Sequence, residues 1–277
     1  MNSFLRVIQM ISVPVATMRE RPEDDAVIVS QAIFSEQVHV LESQDLWLKI
    51  ETLADHYVGW TKNEAVYTSS SPRAMPTVVV ARLAAHLYSV TDTERGPILT
   101  LPFESRLELI EELPQGNQRW LKVRLPDATY GFIQRGDVTF ETKRLSRQEL
   151  GTFSRQFLGL PYTWGGRSSF GYDCSGFVQM LYRQMGVALP RDSKDQINWE
   201  GFRTIEIAEL QVGDLIFWGK NAQKINHVGM YLGDEKFIHT VASVEKMPYL
   251  RISSLNDPVW NAHPSNYHAY RAARGMK

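Results

Sequence analysis

The single cysteine of the 277-residue chain stands in GYDCSGFVQMLYRQMGV, residues 171 to 187, between an aspartate and a serine. A lone thiol admits three roles: packing residue, metal ligand or nucleophile. Zinc sites draw on clustered thiolates or paired histidines at short spacing, and one Cys with no CxxC or HxxxH supplies neither. Packing is the ordinary fate of an isolated cysteine. Local chemistry argues for more. Phe177, Val178, Met180, Leu181 and Met185 recur at helical spacing until Gly186, which describes a helix with one buried face. Asp173 fits its N-cap. Cys174 then lies in the first turn, where unpaired N–H groups and the positive end of the macrodipole favour an anion and lower a thiol pKa. The preceding GGRSSFGYD is rich in Gly and Ser, as a loop opening the helix start to a cleft would be.

A thiol nucleophile needs a base, and the base needs a group to orient it. Seven histidines are candidates. His39, His56 and His86 fall in the N-terminal half, and His263 and His268 fall among loop-like residues near the end. His227 in NHVGMYLG and His239 in FIHT sit on predicted strands. Alternation places His227 with Gly229 and Tyr231 on one face, and Val228, Met230 and Leu232 on the other. A strand histidine is as readily structural as basic. With a tight turn at Gly233 to Lys236, His239 falls about three residues from being opposite His227, roughly 10 Å along the strand. Side chains, sheet twist or a bulge must close that gap if the two are to meet.

These residues require a scaffold, and the chain is long enough for two or three domains, with 43% apolar residues to build cores. Thirty basic against thirty-one acidic residues give a net charge of −1, so there is no electrostatic case for nucleic acid or an anionic membrane. One Cys cannot form an internal disulfide, which is compatible with a reducing compartment. MNSFLRVIQMISVPVATMRERP has no sustained apolar h-region, and no stretch reaches transmembrane length. The sequence therefore reads as soluble and cytoplasmic.

Residues 1 to 140 contain a degenerate repeat: VHVLESQDLWLKIETLADHYVGWTKNEAV (38 to 66) and LELIEELPQGNQRWLKVRLPDATYGFIQRGDV (107 to 138). Trp47 and Trp120 each open a W-L-K-(I/V) strand, followed ten residues later by Tyr57 or Tyr130, then by Gly and another short apolar strand. Short alternating strands separated by turns describe a small β-barrel made twice. TSSSPRAMP (68 to 76) reads as the link between the copies. From about residue 145 a helix near 146 to 158, the Cys174 helix and strands at DLIFWG, NHVGMYLG and KFIHTV follow in an α+β order. The expected organisation is multidomain: two small all-β barrels at 1–67 and 75–140, then an α+β domain at 145–277.

The barrel repeat resembles a pair of bacterial SH3-like modules. LPYTWGG, GYDCSGFVQMLY, LPRDSKDQ, LQVGDLIFW and NHVGMYLGDEKFIHT, in this order, resemble the NlpC family of papain-like cell-wall peptidases over roughly residues 145 to 275. The resemblance implies that Cys174 attacks a peptide carbonyl, His227 is the general base and His239 orients it. Two SH3-like modules ahead of such a domain resemble the YkfC-like branch, which cleaves the γ-D-glutamyl to diamino-acid bond of peptides with a free N-terminal L-alanine. That branch implies a substrate role for Tyr57, from a D-x-Y-x-G-W motif standing here as DHYVGW, and for Asp173, Ser175, Trp164 and Ser193. It also implies an acidic residue from the first module, for which Glu20, Glu23 and Asp25 are candidates. Tyr57 could instead pack a barrel turn, as its repeat partner Tyr130 would. Trp164 could support the Gly165–Gly166 turn, and Tyr162 could pack or lend its hydroxyl near an oxyanion.

The implied reaction is amide hydrolysis through a thioester, with the oxyanion held by backbone N–H groups near Cys174 and no metal or organic cofactor. The implied partners are peptidoglycan-derived tri- or tetrapeptides, and nothing in the sequence sets an oligomeric state. The competing functions are an exported hydrolase of intact wall cross-links and a non-enzymatic wall-binding protein.

Overall fold

The computed structural model describes residues 8–69, 77–112, 118–141, 143–242, 248–260 and 270–277. Residues 70–76 of the expected link, together with His263 and His268, lie outside the described residues. The chain divides into two compact units, residues 1–142 with 168–170, and residues 143–167 with 171–277.

The first unit is built from two antiparallel seven-stranded sheets. One contains β1 (Ile8–Ile11), β2 (Val15–Arg19), β3 (Ile28–Ile33), β4 (Gln37–Gln44), β5 (Trp47–Thr52), β6 (Val58–Lys62) and β7 (Val66–Ser69). The other contains β8 (Thr77–Val80), β9 (Ala84–Tyr88), β10 (Leu99–Pro102), β11 (Arg106–Glu112), β12 (Trp120–Arg124), β13 (Tyr130–Gln134) and β14 (Val138–Thr139). Their orders, β3-β2-β6-β5-β4-β1-β7 and β10-β9-β13-β12-β11-β8-β14, are the same topology displaced by seven strands, so the sequence repeat is a structural repeat. Trp47 and Trp120 open the equivalent strands β5 and β12 and are both buried.

The two tyrosines of the repeat are not equivalent, which corrects the sequence pairing. Ile50 faces Gly59 as Val123 faces Gly131, so the partner of Tyr130 is Val58 and that of Tyr57 is Thr129. The connection into β13 is one residue shorter than that into β6, which shifts Tyr130 onto the outer face, where it is 55% exposed under Lys122. Tyr57 is half-buried against the core of Ile11, Met18, Val38 and Ile50, and its backbone is tied to Thr52.

Phe34, from the connection after β3, is 2% exposed and packs into the second core with Val78, Leu87, Leu101 and Ile133. The two sheets therefore share apolar burial. Ser168–Phe170 also belongs to this unit, with the Phe103 N–H donating to Ser169 Oγ at 2.9 Å.

The second unit starts with α1 (Arg147–Phe153), capped by Ser146 and Glu149 in a reciprocal capping box and extended by a 3₁₀ turn over Ser154–Phe157. A short hairpin, β15 (Arg167–Ser168) and β16 (Gly171–Tyr172), leads into α2 (Cys174–Gln184). Phe177, Val178, Met180 and Leu181 are fully buried along α2, and Gly186, at φ +79°, takes the left-handed conformation that stops it. After α3 (Ser193–Gln196) come β17 (Phe202–Ile205), β18 (Leu215–Asn221), β19 (Lys224–Gly233), β20 (Lys236–Val241), β21 (Tyr249–Ser254) and β22 (Tyr270–Met276). They form one antiparallel sheet in the order β17-β22-β18-β19-β20-β21, and α2 packs on β19 and β20. Helices followed by an antiparallel sheet is the expected α+β order.

Phe34→Ala should lower the stability of the first unit by about 3–5 kcal/mol, the usual cost of removing a buried aromatic ring. Urea unfolding followed by tryptophan fluorescence checks this. A loss below about 1 kcal/mol would mean that the site collapses without cost.

Candidate active site

The first turn of α2 is organised around Asp173. As N-cap, its Oδ1 accepts from the Gly176 N–H at 2.7 Å and from Ser175 Oγ at 3.2 Å. Arg191, which is 3% exposed, grips the same carboxylate with Nη1 on Oδ1 at 3.0 Å and Nη2 on Oδ2 at 2.6 Å. Nη1 also reaches Ser175 Oγ at 2.9 Å. A carboxylate buried at this depth would be costly alone, and the bidentate guanidinium offsets its charge while using the donors that burial would strand. Gly166 completes the seat: its carbonyl accepts from the Asp173 N–H, and a Cβ on Gly176 would lie 2.3 Å from it. Glycine after D-C-S is therefore a steric requirement of the turn. Gln196 of α3 clamps the same region, donating to the carbonyls of Ser175 and Pro190.

Cys174 is 9% exposed. Its sulfur accepts from the backbone N–H of Val228, the residue after His227, and of Ser175. These bonds and the Arg191 cation favour the thiolate, yet burial, first, and the Asp173 carboxylate, second, outweigh them and push the thiol up to about 12. The sequence expectation of a lowered pKa is overturned. A helix start favours an anion, but desolvation acts in the opposite sense and is larger here. The resting group is a thiol, and attack requires a base to take its proton.

His227 and His239 meet. His227 Nε2 lies 2.8 Å from His239 Nδ1, and His239 Nε2 lies 2.9 Å from Ser253 Oγ on β21. Both histidines are buried. The gap expected from spacing is closed in two ways. Tyr231 pairs with Phe237 but Gly233 pairs with Lys236, so Leu232 is an extra residue in β19 and shifts the register by one. Continued through Met230 and Ile238, that register sets His239 across from Gly229, one pleat from His227 on the same face. Gly229 then leaves the space: a Cβ there would stand 3.2 Å from His239 Cβ and 2.8 Å from Phe237 Cδ2. His239 leans across the missing side chain.

Aromatic rings fix the pair. Trp260 stacks on His227 at 5.1 Å and 28°, Trp218 lies across the strand pair from His227 at 5.6 Å, and Phe237 adjoins His239 at 4.6 Å. Trp218 is locked by its indole N–H donating to the Trp260 carbonyl. With Nε2 engaged by His239, Nδ1 is the nitrogen of His227 left to receive a proton.

Of the other expected residues, Ser175 is buried at the N-cap and Ser193 opens α3, half-buried. Tyr162 is half-buried, bridged to Tyr172 and bonded through its N–H to the Pro248 carbonyl. Trp164 is 64% exposed beside Gly165 (φ +69°) and Gly166. Tyr57 belongs to the first unit, as do Glu20, Glu23 and Asp25. Sequence reasoning missed Arg191, Ser253, Trp260, Gln196 and the spacing role of Gly229. Arg191 and Gln196 stood in plain view in LPRDSKDQ, where a cation next to Pro and ahead of a short helix was the available signal. No helix among the described residues is long and apolar enough to cross a membrane.

Both units of the chain are similar to known proteins. The model of the NlpC/P60 family matches residues 159–268, and that of the bacterial dipeptidyl-peptidase Sh3 domain matches residues 18–66. A gamma-D-glutamyl-L-lysine dipeptidyl-peptidase of Bacillus cereus is 31% identical over 242 residues, covering 79% of this chain and 70% of the relative. One from Bacillus subtilis is 28% identical over 83% of this chain and 77% of its own. The crystal structure of an NlpC/P60 family protein from Bacillus cereus superposes with a TM-score of 0.81 at 25% identity, covering 97% of this chain and 99% of the other.

In His227→Gln the thiol keeps its burial but loses its base, so its alkylation rate should keep climbing as pH rises above 9 toward about 12. Iodoacetamide kinetics check this, and a plateau below pH 8.5 would show that the helix start alone makes the thiolate. Gly229→Ala should lower kcat by about tenfold or more while the protein remains folded, because the Phe237 ring must shift and His239, packed against it, must give way as well. Unchanged kcat would remove the spacing argument.

Proposed function

This chain belongs to the NlpC/P60 family, and we propose that Cys174, His227 and His239 are its catalytic residues in hydrolysing the γ-D-glutamyl to L-diamino-acid bond of peptides bearing a free N-terminal L-alanine. It is a cysteine peptidase with endopeptidase activity on peptidoglycan-derived peptides. The observation that carries the catalytic reading is the bond from His227 to His239, made within one residue of the backbone N–H that touches the Cys174 sulfur.

The mechanism follows from the groups in place. His227 takes the thiol proton at Nδ1 as the sulfur attacks the γ-glutamyl carbonyl, and the imidazolium stays hydrogen-bonded to His239. Backbone N–H groups around Cys174 serve the oxyanion. His227 then protonates the leaving amine, and a water attacks the thioester with His227 as base once more. Burial keeps the thiol protonated until substrate arrives, so the base is essential.

For the amino end of the substrate, Asp173 Oδ2 accepts from Arg191 Nη2 at 2.6 Å, and a carboxylate oxygen can accept a second donor. An ammonium there would make a charge-assisted bond. Tyr57 of the first unit, whose place in the repeat is taken by Thr129, is proposed as a further substrate residue. Trp164, Tyr162, Ser175 and Ser193 are proposed to line the substrate. Free tri- or tetrapeptides and a recycling role in the cytoplasm complete the proposal; a single cysteine is compatible with that reducing compartment.

Cys174→Ala should abolish cleavage of L-Ala-γ-D-Glu-L-Lys and of its diaminopimelate counterpart while leaving the melting temperature in place. N-acetylation of the peptide should cost about 1.5–3 kcal/mol in kcat/KM, and Tyr57→Ala should shrink that discrimination. Chromatography of digests checks both. Release of peptides from intact sacculi with no preference for the free amine would favour a wall hydrolase instead.

A further inference from the structure

One proton lies between two imidazoles. With His227 Nε2 and His239 Nδ1 2.8 Å apart, one of these nitrogens carries the hydrogen and the other accepts it. The choice decides whether the site has a base. If His239 holds the hydrogen on Nδ1, then neutral His227 carries its own on Nδ1, and the nitrogen left for the thiol has no lone pair. If His227 holds it on Nε2, Nδ1 is bare and can accept. In that state His239 is protonated on Nε2 and, being buried, needs an acceptor there.

We propose that Ser253 is that acceptor, a positioning residue whose hydroxyl oxygen takes the His239 Nε2–H and thereby sets the tautomers of both histidines. This rests on the peptidase reading above. The oxygen stands 2.9 Å from His239 Nε2, on the strand directly beside β20, with Phe237 and Ser253 cross-strand partners. The same arrangement serves both halves of the reaction. When His227 takes the thiol proton it still donates Nε2–H to His239 Nδ1, and His239 still donates Nε2–H to Ser253, so no hydrogen in the relay relocates while charge appears on His227. Ser253 approaches no reacting atom; it acts only through His239.

Two measurements test it. In the unmutated, substrate-free protein labelled with ¹⁵N-histidine, long-range ¹H–¹⁵N spectra should show neutral His227 and His239 both protonated on Nε2, with assignments from His227→Gln and His239→Gln. His239 protonated on Nδ1 would overturn the proposal. This reading needs no substrate, so it is separable from failure of the proposed activity, and it holds whether or not a Ser253 variant folds. Kinetically, Ser253→Ala should lower kcat about 3- to 10-fold with KM unchanged, and Ser253→Thr, which keeps the oxygen, should restore it. Unchanged kcat in Ser253→Ala, or a loss that Thr does not restore, would mean that Ser253 only packs.

Discussion

A base buried among tryptophans must be aimed by something that does not need its own proton, and this site meets the requirement by setting one imidazole against another at 2.8 Å. Much of the second unit follows from it. The two histidines lie on neighbouring strands whose natural register would separate them, so β19 carries an extra residue at Leu232, and the position between them in space is a glycine. Trp260 then stacks on His227, Trp218 packs beside both rings, and the Trp218 indole N–H donating to the Trp260 carbonyl ties the two indoles together. A bulge, a glycine and two indoles are each ordinary. Together they fix one ring in one orientation.

The nucleophile has its own constraint, which works against it. Cys174 sits where a helix start donates N–H groups, but it is buried beside a carboxylate, and desolvation with Asp173 outweighs the donors. Asp173 is nevertheless required as the cap of α2. Arg191 reconciles the two demands by neutralising the carboxylate that the cap needs with two hydrogen bonds, while it also donates to Ser175 Oγ and the Gly166 carbonyl in a space with almost no solvent. The thiol stays protonated in the resting state, so proton transfer to His227 is part of the attack. The catalytic power of the site is thereby concentrated in the histidine relay.

Much of this was legible in the sequence. Helical spacing after Cys174 and the aspartate before it gave α2 and its cap, because both signals are local. The tryptophan-centred repeat foretold a small β fold made twice, since alternating strands and their turns are also local, and the two sheets share one topology. What was not legible depends on contacts between distant segments. In GDEK only Gly233 marks the turn; Asp234 and Glu235 also take positive φ, and nothing marks the bulge at Leu232, so the register came out one residue wrong. Tyr57 and Tyr130 share a spacing from tryptophan but not a place in the sheet, because the intervening connections differ by one residue. The depth of Cys174 and the partnership of Arg191 with Asp173 arise from packing around α2, and no pattern near residue 174 encodes them.

The central claim is that this buried thiol, deprotonated by His227, forms a covalent acyl intermediate. Rapid-quench mass spectrometry of the intact protein during turnover of L-Ala-γ-D-Glu-L-Lys tests it directly. The account predicts a transient adduct equal to the L-Ala-D-Glu dipeptide less one water, located on Cys174 by digestion, formed slowly or not at all in His227→Gln. Turnover with no adduct at any time, alongside an adduct-free Cys174 trapped under single-turnover conditions, would contradict it.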